Sequence, residues 1–221
     1  MPSARPFAAD PDRTLTISAD HTAHRKLLRH LDRYLSDSKK ILDAWDIYSD
    51  EHTDLDGWPH DDHAYGMRAS QRDADTAEAF EDLRDGARHL LATAEVQLGN
   101  LPATAVQNRW VYQLGVLQTA LDRLDELHEQ WLETRDSLPA NAKPGTPVFD
   151  DALAEHHAES WSYLDDWACH SQALREINIT ARNTPSPLAP PPTTVPAPGR
   201  RTPVRNEAVQ LWPGVPKGLF V

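Results

Sequence analysis

The chain has one cysteine, Cys169, in 221 residues. An intramolecular disulfide is therefore impossible, and no zinc site built from the cysteines of one chain can form. Long apolar runs are also lacking. No stretch approaches the roughly 18 consecutive apolar residues of a membrane helix. The opening MPSARPFAADPDRTLTI has no apolar segment of the secretory kind. The expectation is a cytoplasmic protein outside the membrane. Gly-rich phosphate loops, a Gly-x-Ser-x-Gly elbow and a His-Glu-x-x-His helix are absent too, so no motif specifies a reaction and an enzyme is not expected.

Basic charge is in short supply. Lysine and arginine number 22 against 34 acidic residues, for a net charge of −12, which disfavours direct nucleic-acid binding through a general basic surface. The deficit is uneven. From Thr184 onward Arg200, Arg201, Arg205 and Lys217 oppose Glu207 alone, giving +3 and leaving −15 on the first 183 residues.

What the sequence does have is helical periodicity. Residues 1–19 carry three prolines and read as a flexible lead-in. From about Asp20, Leu27, Leu31, Tyr34, Ser38, Ile41, Trp45 and Tyr48 recur at spacings of four and three, an amphipathic seam. A polar loop is expected from about Ser49 to Gln71. A second helix then begins near Asp75-Thr-Ala-Glu78, which has the form of a capping box. Its seam is Phe80, Leu83, Ala87, Leu90, Ala94 and Leu98, and Gly99-Asn100 stop it. Pro102 suits the first turn of a third helix. That helix carries Trp110, Leu114, Leu117, Leu121, Leu124, His128 and Trp131, and ends at Leu138-Pro139. Thr146-Pro147 opens a fourth, with Phe149, Leu153, Trp161, Leu164, Ala168, Leu174 and Ile177, whose phase slips near His157.

At ~1.5 Å per residue these helices are roughly 35–50 Å long. Short connections favour antiparallel neighbours. The expected fold is all-α: an up-down-up-down bundle of about four long helices over residues 20–183. Residues 184–221 are expected to be a disordered, proline-rich tail with no core of its own, its spacer TPSPLAPPPTTVPAPGRRTP extended as polyproline II. The tail closes with the apolar peptide EAVQLWPGVPKGLFV.

Two places stand out as candidate sites. In the antiparallel arrangement one end of the bundle gathers Trp45, Trp131 and Trp161. His52, His60, His63, His128, His156 and His157 join them, among carboxylates of the first loop. Imidazole and carboxylate suit zinc, iron or manganese, and His60, Asp62, His63 and His156 are the candidate ligands. Against this, the Glu-x-x-His spacing of di-iron bundles is missing from every helix. A calcium loop aligned on Asp54-Leu-Asp56-Gly57 would place His52 and His63 where oxygens are needed. The plainer reading of this end is a solvated acidic loop with Trp58-Pro59 packed on the bundle. Cys169 reads as a core or boundary residue. The second candidate is the terminal peptide, in which Leu211, Trp212, Leu219 and Phe220 could enter a partner's groove.

The function these features favour is a non-catalytic bundle acting in protein–protein interaction, with the C-terminal peptide as a docking motif and an unidentified protein as partner. Two alternatives are a metal-binding bundle protein, enzyme or sensor, using the His/Asp end and a self-associating coiled-coil structural module. The chain would be a monomer or a homodimer.

Overall fold

The computed structural model describes residues 11–184, with side chains from residue 21 onward. Five helices follow one another: α1 (Pro11–His52), α2 (Asp62–Asn100), α3 (Asn108–Ser137), α4 (Pro147–His170) and α5 (Gln172–Asn183), with a 3-10 turn at Ala103–Ala105 between α2 and α3. The fold is all-α and antiparallel, as the seams require. Leu211, Trp212, Leu219 and Phe220 lie outside the described residues.

Helix boundaries depart from the sequence expectation in four places. α1 begins at Pro11, not near Asp20; a proline in the first helical turn lacks only an N–H that would have no partner there. α2 begins at Asp62, thirteen residues before Asp75. Its cap is Asp61, whose carboxylate accepts from the Ala64 N–H at 3.0 Å. Pro102 precedes the isolated 3-10 turn, and α3 starts only at Asn108. The fourth helical segment breaks at Ser171, whose N–H still donates to the Trp167 carbonyl. α5 continues from there as a separate amphipathic piece with Ala173, Leu174 and Ile177 buried.

The seams fill the core from within this one chain. α2 lies centrally, packed against α1 on one side and against α4 and α5 on the other, while α3 lies along α4. Tyr34 on α1 meets Phe80 on α2 edge to face at 5.2 Å, and Phe80 meets Trp167 on α4 at 5.4 Å. The Tyr34 hydroxyl donates to the Leu164 carbonyl at 2.5 Å, which joins α1 to α4 across α2. Burial pushes the Tyr34 phenol well above its ordinary range, so it stays a neutral donor. Gly86 lets α1 approach: a Cβ there would lie 2.1 Å from Leu27 Cδ2.

The core is asymmetric along the bundle. Leu31, Tyr34, Leu83, Leu117, Leu164 and Ile177 are all essentially inaccessible. Further toward the end shared by the α1–α2 and α3–α4 connections, Ile41, Trp45, Trp131, Leu153 and Trp161 are only half-buried. The seam opens at that end.

The glycine contact makes a paired test. Gly115 on α3 has nothing within 4 Å of a built Cβ, so Gly115→Ala is expected to stabilise by about 0.5–1 kcal/mol through helix propensity. Gly86→Ala must displace Leu27 and is expected to be less stable than Gly115→Ala by about 1–3 kcal/mol. Urea unfolding of the two variants against the parent checks the ranking.

Candidate functional site

At the open end of the bundle a single arginine organises three helices. The Arg72 guanidinium on α2 lies 4.3 Å from the Trp45 ring centroid on α1 and 3.7 Å from the Trp161 ring on α4. Cation–π contacts of this kind strengthen as water is excluded. The same side chain donates to the Asp73 carboxylate through Nε at 2.8 Å and Nη2 at 2.6 Å. Both partners are largely buried, at 12% and 7% side-chain exposure. Burial raises the Asp73 carboxyl above the usual carboxylate range, and the Arg72 hydrogen bonds pull it back down.

Above this layer, the α1–α2 connection is a short, heavily bonded turn. It replaces the long loop expected over Ser49–Gln71. Thr53 and Pro59 face each other as an isolated antiparallel bridge. The Asp54 carboxylate accepts from the N–H groups of Asp56 and Trp58, both at 2.9 Å. The Asp54 N–H donates to the Trp58 carbonyl, and the Gly57 N–H to the Asp54 carbonyl. Gly57 sits at φ 84°, a left-handed conformation that glycine adopts without strain. Below the turn, Tyr48 stacks on His52 with centroids 4.0 Å apart, and Tyr65 packs on Trp45 at 5.0 Å. The Ser49 and Tyr65 hydroxyls are 2.9 Å apart.

This frame turns two large apolar residues outward. Leu55 is fully exposed and Trp58 is 72% exposed. The expectation that Trp58-Pro59 packs on the bundle therefore fails for Trp58, while Pro59 is half-buried. The surroundings are acidic: residues 41–67 hold eight aspartates and glutamates and no lysine or arginine.

The proposed metal ligands are dispersed. His60 and His63 flank the α2 cap as exposed residues, and Asp62 is the exposed first residue of α2. His156 is half-buried on α4, stacked on Trp131 at 5.6 Å and 15°. Among the described residues no three histidine, cysteine or acidic side chains are placed to hold a metal ion, so these four do not form such a group. Cys169 is exposed rather than core. Partial burial and the neighbouring carboxylates of Asp165 and Asp166 hold its thiol above the usual range, which weakens it as a nucleophile.

A tryptophan at a bundle end can line a ligand pocket, and beside His156 Trp131 does so, in a cleft whose other walls the sequence did not indicate. A cleft of about 370 Å³ opens between α2, α3 and α4, with Glu78, Glu81 and Arg84 on one wall and His128 and Trp131 on another. His156, His157, Leu153, Ser160 and Leu164 line it from α4. Ala74 and Ala77 on α2 leave the space. The adjacent histidines both contribute to the lining, although neighbouring helical positions point about 100° apart. Desolvation lowers His156 to about 4, with His157, Arg84 and His128 adding repulsion. His157 is lowered chiefly by burial, while Asp73 and Glu81 oppose that shift.

Two outcomes are expected here. Arg72→Ala leaves the Asp73 carboxylate buried without its partner and should cost about 3–5 kcal/mol in urea unfolding. Adding Asp73→Ala should restore part of that loss. The histidines set a pH dependence. They are neutral in the fold but protonate near 6.5 when unfolded, so the fold binds fewer protons. Their contribution is complete above pH 6.5 and drains as pH falls below it, that of His156 down to about 4. Asp73, raised by burial, acts with the opposite sign. The differential is therefore diagnostic: between pH 7 and 5, Tm should fall more steeply for the parent than for His156→Gln.

No helix among the described residues is long and apolar enough to cross a membrane. Comparison with protein-family models, with curated proteins and with solved structures gives no match for this chain.

Proposed function

We propose that this chain is a non-catalytic helical-bundle protein acting in protein–protein interaction, and that the α1–α2 turn is its docking element. One observation carries the reading: Leu55 and Trp58 stand exposed on a turn that backbone and Asp54 hydrogen bonds hold in one conformation. Burying a Leu-sized or larger side chain on docking contributes about 1.5–3 kcal/mol. A turn already fixed loses little conformational freedom when it binds. Tryptophan is also the residue type most enriched among interface hot spots.

Charge narrows the partner. With eight acidic and no basic residues over 41–67, the surface suited to this tip is an apolar pocket rimmed by lysine or arginine. The C-terminal peptide with Leu211, Trp212, Leu219 and Phe220 is a second docking motif of the same proposal, supported by its sequence alone.

Recovery of a partner from native extract on the immobilised full chain tests the assignment. Leu55→Ala with Trp58→Ala should lower recovery at least tenfold while leaving Tm unchanged, because neither side chain is buried in the fold. Truncation after Asn183 reports separately on the terminal peptide. Full recovery by the double variant would exclude the turn as the docking element.

A further inference from the structure

The cleft between α2, α3 and α4 has a charge pattern that selects among ligands. Arg84 is offset within it: its Nε donates to Glu81 at 3.3 Å, and its guanidinium lies 6.0 Å from the Phe80 ring centroid. Glu78, on the same wall, is exposed and makes no hydrogen bond or ion pair among the described residues. His156 and His157 are held neutral by burial, and Trp131 and Leu153 supply an aromatic and aliphatic interior. Glu155 and Glu159 lie on the far side of His156, in the opening that shares Trp131 and His156 with this cleft, so the wider field is negative as well.

Each ligand class meets this arrangement differently. An anion would meet two carboxylates, Glu78 and Glu81, against the single Arg84 guanidinium. A purely apolar molecule would make no use of the Glu78 charge at the mouth of the cleft. A molecule with a flat apolar body and one ammonium group satisfies both parts, since its charge meets Glu78 and its body lies against indole, imidazole and leucine. The volume of about 370 Å³ is near the small end of ligand sites, which span roughly 300–1,000 Å³.

We infer that this cleft is a binding site for a small aromatic amine in its protonated form, with Glu78 as the counter-charge and Trp131 as the apolar wall. The assignment is independent of the Leu55/Trp58 turn, which lies on the α1–α2 connection.

Three probes of nearly equal size separate the classes by isothermal titration calorimetry on the full chain at pH 7.5: phenethylamine, phenylacetate and 2-phenylethanol. Phenethylamine is expected to bind saturably with one-to-one stoichiometry, and the other two at least tenfold more weakly. Glu78→Gln, at an exposed position, should weaken phenethylamine at least tenfold, while Glu159→Gln, across His156 from the cleft, should change it less than twofold. Leu55→Ala with Trp58→Ala should leave it unaltered. Absence of saturable phenethylamine binding, equal binding of the three probes, or unchanged binding by Glu78→Gln would each overturn the inference.

Discussion

The structure depends on one cation held between two indoles. Arg72 places its guanidinium against Trp45 and Trp161 while bonding to a buried carboxylate, Asp73. A charge taken from water is costly unless it is paired and its donors are satisfied. Here the aspartate supplies the counter-charge and the rings supply two electron-rich faces. The arrangement lies a few turns from the fully buried Tyr34 and Phe80. Its effect is to fix α1, α2 and α4 together where the apolar seam has run out.

That placement accounts for the two features that distinguish this end. On one side of the arginine the α1–α2 pair continues as a clasp of Trp45, Tyr48, His52 and Tyr65, and the clasp supports a turn too tightly bonded to fold back on itself. Leu55 and Trp58 are exposed as a result. On the other side Ala74 and Ala77 follow Arg72 and Asp73 along α2, and their small side chains leave the cleft facing Trp131 and His156. Dense packing through Tyr34, Phe80 and Trp167 anchors both.

Much of the fold was legible because apolar side chains at intervals of three and four admit one solution, a helix buried on one face. Phe80, Leu83, Ala87, Leu90 and Ala94 are all buried as their spacing implies. The antiparallel order was legible too, and with it the convergence of Trp45 and Trp161, which meet on Arg72. The start of α2 was not. Asp75-Thr-Ala-Glu78 has the chemistry of a cap, yet Asp73 and Thr76 are buried, so tertiary packing carries the helix through the local signal and Asp61 caps it instead. Arg72 accordingly fell between the expected loop and the expected helix. An arginine followed by an aspartate, near an end rich in tryptophan, was the available clue. The candidate site was less legible still. Ligand chemistry drew attention to His60, Asp62 and His63, which remain exposed, while the cleft lies beside His156, where Ala74 and Ala77 on α2 leave room for it.

The central claim is best tested by NMR of the Arg72 side chain, in ¹⁵N-resolved spectra of the full chain. A guanidinium enclosed by two indole faces should show its Nε–H proton shifted upfield by ring currents and exchanging slowly with water, and Trp161→Leu should reduce both effects. An Arg72 Nε–H at the ordinary position of an exposed arginine, unaffected by Trp161→Leu, would contradict the account.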